Sequence, residues 1–155
     1  MEPSASKPEP AFVDALRRRR AELRESMSAL ELALAGPAPE GQVRWTERVH
    51  VALIELSADL REHIGITEGP AGLYHELRQT VPRLSGAVAR LTREHVVIKG
   101  LLDELLDQVS TPAANQNSDE VRDLGTTLLG TLIRHRQRGS DLVYEAFQID
   151  IGGET

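Results

Sequence analysis

The chain has 155 residues, a net charge of -6, a pI near 5.4, one Trp, two Tyr, two Phe and no Cys. That length gives one domain, and a core built from Leu, Val, Ile and Ala suits helix packing better than a sandwich, which draws on β-branched and aromatic residues. The acidic balance argues against a general binder of nucleic acid or anionic lipid, and the absence of cysteine excludes disulfides and thiolate chemistry, leaving His and carboxylate as the strong metal ligands.

In chain order, "MEPSASKPEP" (1–10) is polar and rich in Pro and Ser, and reads as a disordered arm. The first helical segment carries Phe12, Leu16, Leu23, Met27, Leu30 and Leu34 in steps of four and three. Its run "LRRRR" divides on that helix. Arg17 and Arg18 fall on the solvated side and Arg19 at the boundary, while Arg20 occupies a stripe position. After the loop "GPAPEGQ" the second segment has Trp45 as an anchor near its start and the stripe Val49, Leu53, Leu56, Leu60. "GITEGPAG" breaks the chain again.

The third segment runs from Leu73 to Val109, with Leu77, Leu84, Val88, Leu91, Ile98, Leu102 and Leu105 on its stripe. Pro82 should kink or restart that helix, with Thr80 as a cap. "STPAANQNS" leads to the fourth segment, striped by Val121, Leu124, Leu128, Leu132 and Leu142. The expected fold is all-α, an antiparallel up-down-up-down four-helix bundle over residues 11–147 with a tail over 148–155. No apolar run approaches the ~20 residues that span a bilayer and no signal peptide opens the chain, so a cytoplasmic protein without a membrane partner is expected.

The apolar positions of the first segment coincide with those of the third from Leu91 at a constant offset, and the second matches the fourth in the same way. The bundle therefore reads as two tandem helical hairpins. Under this alignment His63 falls on His135, and Arg20 falls on His95.

His63, His95 and His135 continue the apolar stripes of three different helices and should point inward, whereas His50 and His75 lie off the stripes, at the surface or rim. A buried imidazole needs a hydrogen-bonding partner or a metal ion. A lone core histidine is more often satisfied by a neighbour; three that meet at one level would form a metal site. Carboxylates would complete such a site for iron, manganese or zinc. Glu68, just past the second helix, is the first candidate, and Asp141 and Glu145 on the last helix follow. Glu94 is adjacent to His95 and should be solvated, because neighbouring helix positions do not share a face. Tyr144 is either a helix-packing residue or a proton or redox participant.

"LTREHVVIKGLLDELL", "LREHIGITE" and "LIRHRQRGSDLVYEAF" resemble the third, second and fourth helices of hemerythrin-like (HHE cation-binding) domains, and "VYEAFQIDIGGE" is similar to the end of short actinobacterial proteins of that group. The likeness covers most of residues 12–154 and implies a bundle holding non-haem iron that binds O2 or reacts with NO or peroxide. His63, His95 and His135 then match ligand histidines and Glu68 the acid after the second-helix histidine. Two departures stand out. The acid positions after His135 hold Gly139 and Ser140, so Asp141 or Glu145 would have to substitute. The first-helix histidine position falls on Arg20, which cannot ligate a metal.

Two functional readings follow. In one, a reduced site holds one or two iron ions, or zinc, through His63, Glu68, His95, His135 and Asp141, with Arg20, Glu145 and Tyr144 around it. Such a protein would bind a small diatomic ligand or peroxide; as an enzyme, it would consume peroxide. In the other, the site has lost its metal and the bundle serves as a structural or protein-interaction module, with Arg20 in a buried His/carboxylate/Arg network. Neither reading identifies a protein partner.

Overall fold

The computed structural model describes residues 12–37, 42–111, 117–149 and 151. The expected N-terminal arm, parts of two loops and most of the tail lie outside the described residues. The chain forms α1 (Phe12–Ala35), α2 (Gln42–Glu68), α3 (Leu73–Thr80), α4 (Ser85–Val109) and α5 (Ser118–Phe147), with one 3-10 turn at Pro82–Leu84. Among the described residues there is no strand, and the four long helices are consistent with a four-helix bundle. No helix is long and apolar enough to cross a membrane.

The long third segment is two helices. Val81 precedes Pro82, whose ring disfavours helical dihedrals in the residue before it, and Val81 takes φ -135, ψ 66. Thr80 is not a cap: its hydroxyl donates to the Glu76 carbonyl at 2.8 Å. Asn117 caps α5, its side chain accepting from the Asp119 and Glu120 amides. The end of α1 is closed from across the bundle. Arg122 on α5 donates to the Leu34 and Gly36 carbonyls at 3.0 and 2.9 Å and stacks over the buried Trp45 ring.

The stripes build two apolar clusters. One gathers Leu23, Leu30, Leu53, Leu56, Leu102 and Leu128 with their neighbours from α1, α2, α4 and α5. The other gathers Val13, Leu16, Leu77, Leu91, Leu142 and Val143 with Ile151, which returns to the core beyond the left-handed Gln148 (φ 58). Val13, rather than Phe12, is fully buried, and Phe12 instead packs its ring on Phe147. Fully burying one such side chain stabilises by about 1.5–3 kcal/mol. Close packing shows at Gly125, where an added Cβ would lie 2.5 Å from Leu34 Cδ1.

Between the clusters lies a polar level. Moving along α1 the order is Leu16, Arg20, Leu23; along α4 it is Leu91, His95, Ile98. On α2 the first cluster ends at Leu60 and His63 and Thr67 follow, while on α5 Leu132 is followed by His135, Arg136 and Ser140, then Leu142. All of these polar residues are buried.

Candidate metal centre

His63, His95 and His135 keep the register of the leucine stripes, so the packing that buries the leucines brings the three imidazoles together. Their rings are 5.2 Å (His63–His95), 5.6 Å (His63–His135) and 4.6 Å (His95–His135) apart between centroids. One ligand nitrogen from each lies within 4.8 Å of the others, and all three residues are buried. His50 and His75 stay at the periphery, as their off-stripe positions predict.

Two carboxylates stand behind the rings. Glu68 Oε2 is 2.6 Å from His95 Nδ1, and Glu94 Oε1 is 2.9 Å from His135 Nδ1. With Nδ1 occupied as a donor to the carboxylate, each ring is left with Nε2 as a lone-pair nitrogen directed elsewhere. His95 Nε2 has no hydrogen-bond partner, and neither ring nitrogen of His63 has one. Each such buried orphan costs about 1–3 kcal/mol unless something satisfies it. A cation among the three rings fits this pattern, and a carboxylate holding the far nitrogen is the usual way a ligating histidine is oriented.

Burial, followed by the proximity of His95, His135, Arg20 and Arg136, holds His63 well below the ordinary imidazole range. Burial likewise lowers His95, with Glu68 opposing, and brings His135 down to about 4, with His95 adding to the shift and Glu94 opposing. The rings are therefore neutral at pH 7 and already in the state that binds metal.

The surrounding residues complete the level. Tyr74 stacks on His95 at 5.8 Å and 18°, its hydroxyl hydrogen-bonded with Thr67, and burial pushes its phenol up. The Thr67 hydroxyl also donates to the His63 carbonyl at 2.9 Å. Arg20 and Arg136 tie α1 to α5 reciprocally: Arg136 Nη1 donates to the Arg20 carbonyl at 2.8 Å and Arg20 Nη1 to the Arg136 carbonyl at 3.4 Å. Beside His63 and His135 is a cavity of about 10 Å³ lined by Arg20, Thr67, Tyr74, Arg136 and Gly139.

Several expectations change. Glu94 is not solvated: it is 17% exposed, takes Arg138 at 2.6 Å and supports His135 from another helix. Glu68 sits behind His95 and is not among the clustered ligand atoms. Asp141 is exposed and accepts from Gln137, because six residues after His135 the helix has turned roughly 120° away from the ring-bearing face. Glu145 pairs with Arg83 at 2.9 Å on the surface. Tyr144 is 55% exposed, nine residues and so roughly half a turn out of phase with His135. Arg20 is buried in the level, as its stripe position predicts. Sequence reasoning missed Arg136, Thr67 and Tyr74. Each was within reach of the helical period, Arg136 four residues after Leu132, Thr67 four after His63, and Tyr74 three before Leu77.

No protein-family model, curated protein or solved structure matches the chain.

Proposed function

We propose that the chain is a metal-binding protein of hemerythrin-like type, an antiparallel bundle in which His63, His95 and His135 hold one non-haem metal ion. The single observation that carries this reading is the set of three buried imidazoles whose ligand nitrogens lie within 4.8 Å, with both nitrogens of His63 otherwise unsatisfied. Support for the antiparallel arrangement comes from the order of the levels, which α1 and α4 meet from one apolar cluster and α5 from the other. Glu68 and Glu94 act on the rings rather than on the ion, fixing the tautomers that present Nε2.

Three neutral imidazoles suit zinc and iron(II). Zinc would supply Lewis acidity, and iron would add binding of O2 or NO or reaction with peroxide. The sequence likeness to the hemerythrin-like group favours iron. The donor set itself, with its carboxylates behind the rings, suits zinc equally well.

A second reading, a metal-free structural or interaction module, draws on Arg20 and Arg136, whose charges beside His63 oppose a cation. Metal analysis separates the two. Protein purified without chelator, or reconstituted with iron(II) or zinc, should carry about one ion per chain. A content far below one equivalent after both reconstitutions would sink the metal reading and leave the module.

A further inference from the structure

On the side away from the core, α2 carries a second stripe. Arg44, Arg48, Val51, Glu55 and Ala58 follow one another in steps of four and three, so they share one face, and all five are exposed. A groove of about 740 Å³ runs between this face and α1, with Ala29, Ala33 and Ala52 lining it. Leu32 of α1, 75% exposed, stands on one side of the groove and Val51, 59% exposed, on the other. Large aliphatic side chains held in water along a groove mark a surface that another surface covers.

The two ends of the groove carry opposite charge. Arg44 and Arg48 line one end, with Glu47 beside them. The other end continues into a depression of about 390 Å³ lined by Glu22, Glu25, Glu55 and Asp59, with the Ser26 hydroxyl donating to Asp59. Arg19 lies beyond it, paired with Glu22 at 3.0 Å and Glu62 at 3.6 Å. Among the described residues, Arg48 and Glu55 have no ion pair within the chain. These charges are placed symmetrically about the apolar middle. Arg48 and Glu55 are equally far along α2 from the midpoint of Val51 and Ala52, and so are Arg44 and Asp59. At the helical rise the inner two lie roughly 5 Å to either side of that midpoint and the outer two roughly 11 Å.

We infer that this face is the interface of a twofold homodimer, the groove being covered by the same face of a second copy of the chain. A twofold axis through the midpoint sets α2 antiparallel to its equivalent. Arg48 of each protomer then stands opposite Glu55 of its partner, and Arg44 opposite Asp59, so every pairing occurs twice. Leu32 and Val51 of both copies meet near the axis and leave water. A parallel arrangement would set arginine on arginine and acid on acid, so charge fixes the orientation. A partner of uniform charge would be repelled at one end of the groove, whereas a second copy matches both. None of these side chains belongs to the buried polar level, so the dimer forms with or without a metal ion.

Sedimentation equilibrium of the full chain in about 0.15 M salt should show a reversible monomer–dimer equilibrium. Arg48→Glu and Glu55→Arg, both at exposed positions, should each raise the dimer dissociation constant about tenfold or more, because two like-charge contacts replace two ion pairs. An equimolar mixture of the two variants should associate as the parent does, since the mixed dimer restores both pairs. Helical circular dichroism equal to the parent's confirms that each variant is folded. A parent chain that stays monomeric at every concentration, with the groove left to a different molecule or to the chain's own terminal segment, overturns the dimer. A dimer that either folded variant leaves intact, or a mixture that stays monomeric, overturns this face as its interface.

Discussion

The leucine cluster and the histidine level are built by the same four long helices at the same helical period, yet they behave as opposites. In the first, Leu53, Leu56, Leu105, Leu128 and Leu132 are wholly buried, and burying their apolar surface stabilises the chain. In the second, the stripes carry His63, His95, His135 and Arg20 at equal depth, where desolvation costs free energy that hydrogen bonds repay only in part. A helical stripe specifies depth and level, not chemistry. Exchanging one stripe residue on each of three helices at a single level converts packing into a cluster of imidazoles that could hold a metal ion, and the neighbouring leucine levels hold that cluster in place.

This contrast can be broken experimentally. The largest effect is expected from Leu53→Ala, which should lower stability by about 2–5 kcal/mol in urea unfolding while leaving the metal content of the folded protein unchanged. His63→Leu should do the reverse. With one unsatisfied imidazole replaced by an apolar side chain, the metal-free protein should be as stable as the parent or more so, by up to about 1–4 kcal/mol, and metal uptake should be lost. A large loss of stability in the metal-free state would mean that His63 is a structural residue.

Glu94→Gln sharpens the role of the carboxylates. It should weaken metal affinity by about 10–100-fold, measured by competition with a chromophoric chelator, because the neutral amide can offer His135 Nδ1 either a donor or an acceptor and so no longer fixes its tautomer. An unchanged affinity would remove Glu94 from the centre.

A further test is the pH dependence of the metal-free protein. All three rings take up protons less readily when folded than when unfolded. Below the unfolded histidine value of about 6.5 the unfolded chain therefore binds more protons, and stability drops as the pH drops. The contribution of His135 is complete above about 6.5 and lost as pH falls toward its folded value of about 4, at up to about 1.4 kcal/mol per pH unit. Chemical unfolding at several pH values checks this. A flat profile over that window would show that the rings are not buried neutral.

Much of this was legible in the sequence because the helical period carries it. The stripes gave the core, and the alignment of the two hairpins paired His63 with His135, whose rings are 5.6 Å apart. Arg20 was identified by the same argument, since the alignment set it on His95. What the period does not carry is pairing between helices. Glu94 is a neighbour of His95 along the chain, but its side chain reaches α5 and serves His135. Glu68 was placed near the histidines correctly, yet whether a carboxylate faces a ring's front or back depends on side-chain direction, which spacing leaves open. Asp141, Glu145 and Tyr144 lie close to His135 along the chain, but their phase on α5 carries them away from the ring-bearing face.

The central claim is that His63, His95 and His135 converge on one ion. X-ray absorption on the zinc-loaded protein tests it most directly. About three imidazole nitrogens at roughly 2.0–2.1 Å from zinc, and no sulfur, are expected. A shell dominated by oxygen with fewer than two imidazoles, or zinc that washes away before measurement, would contradict it.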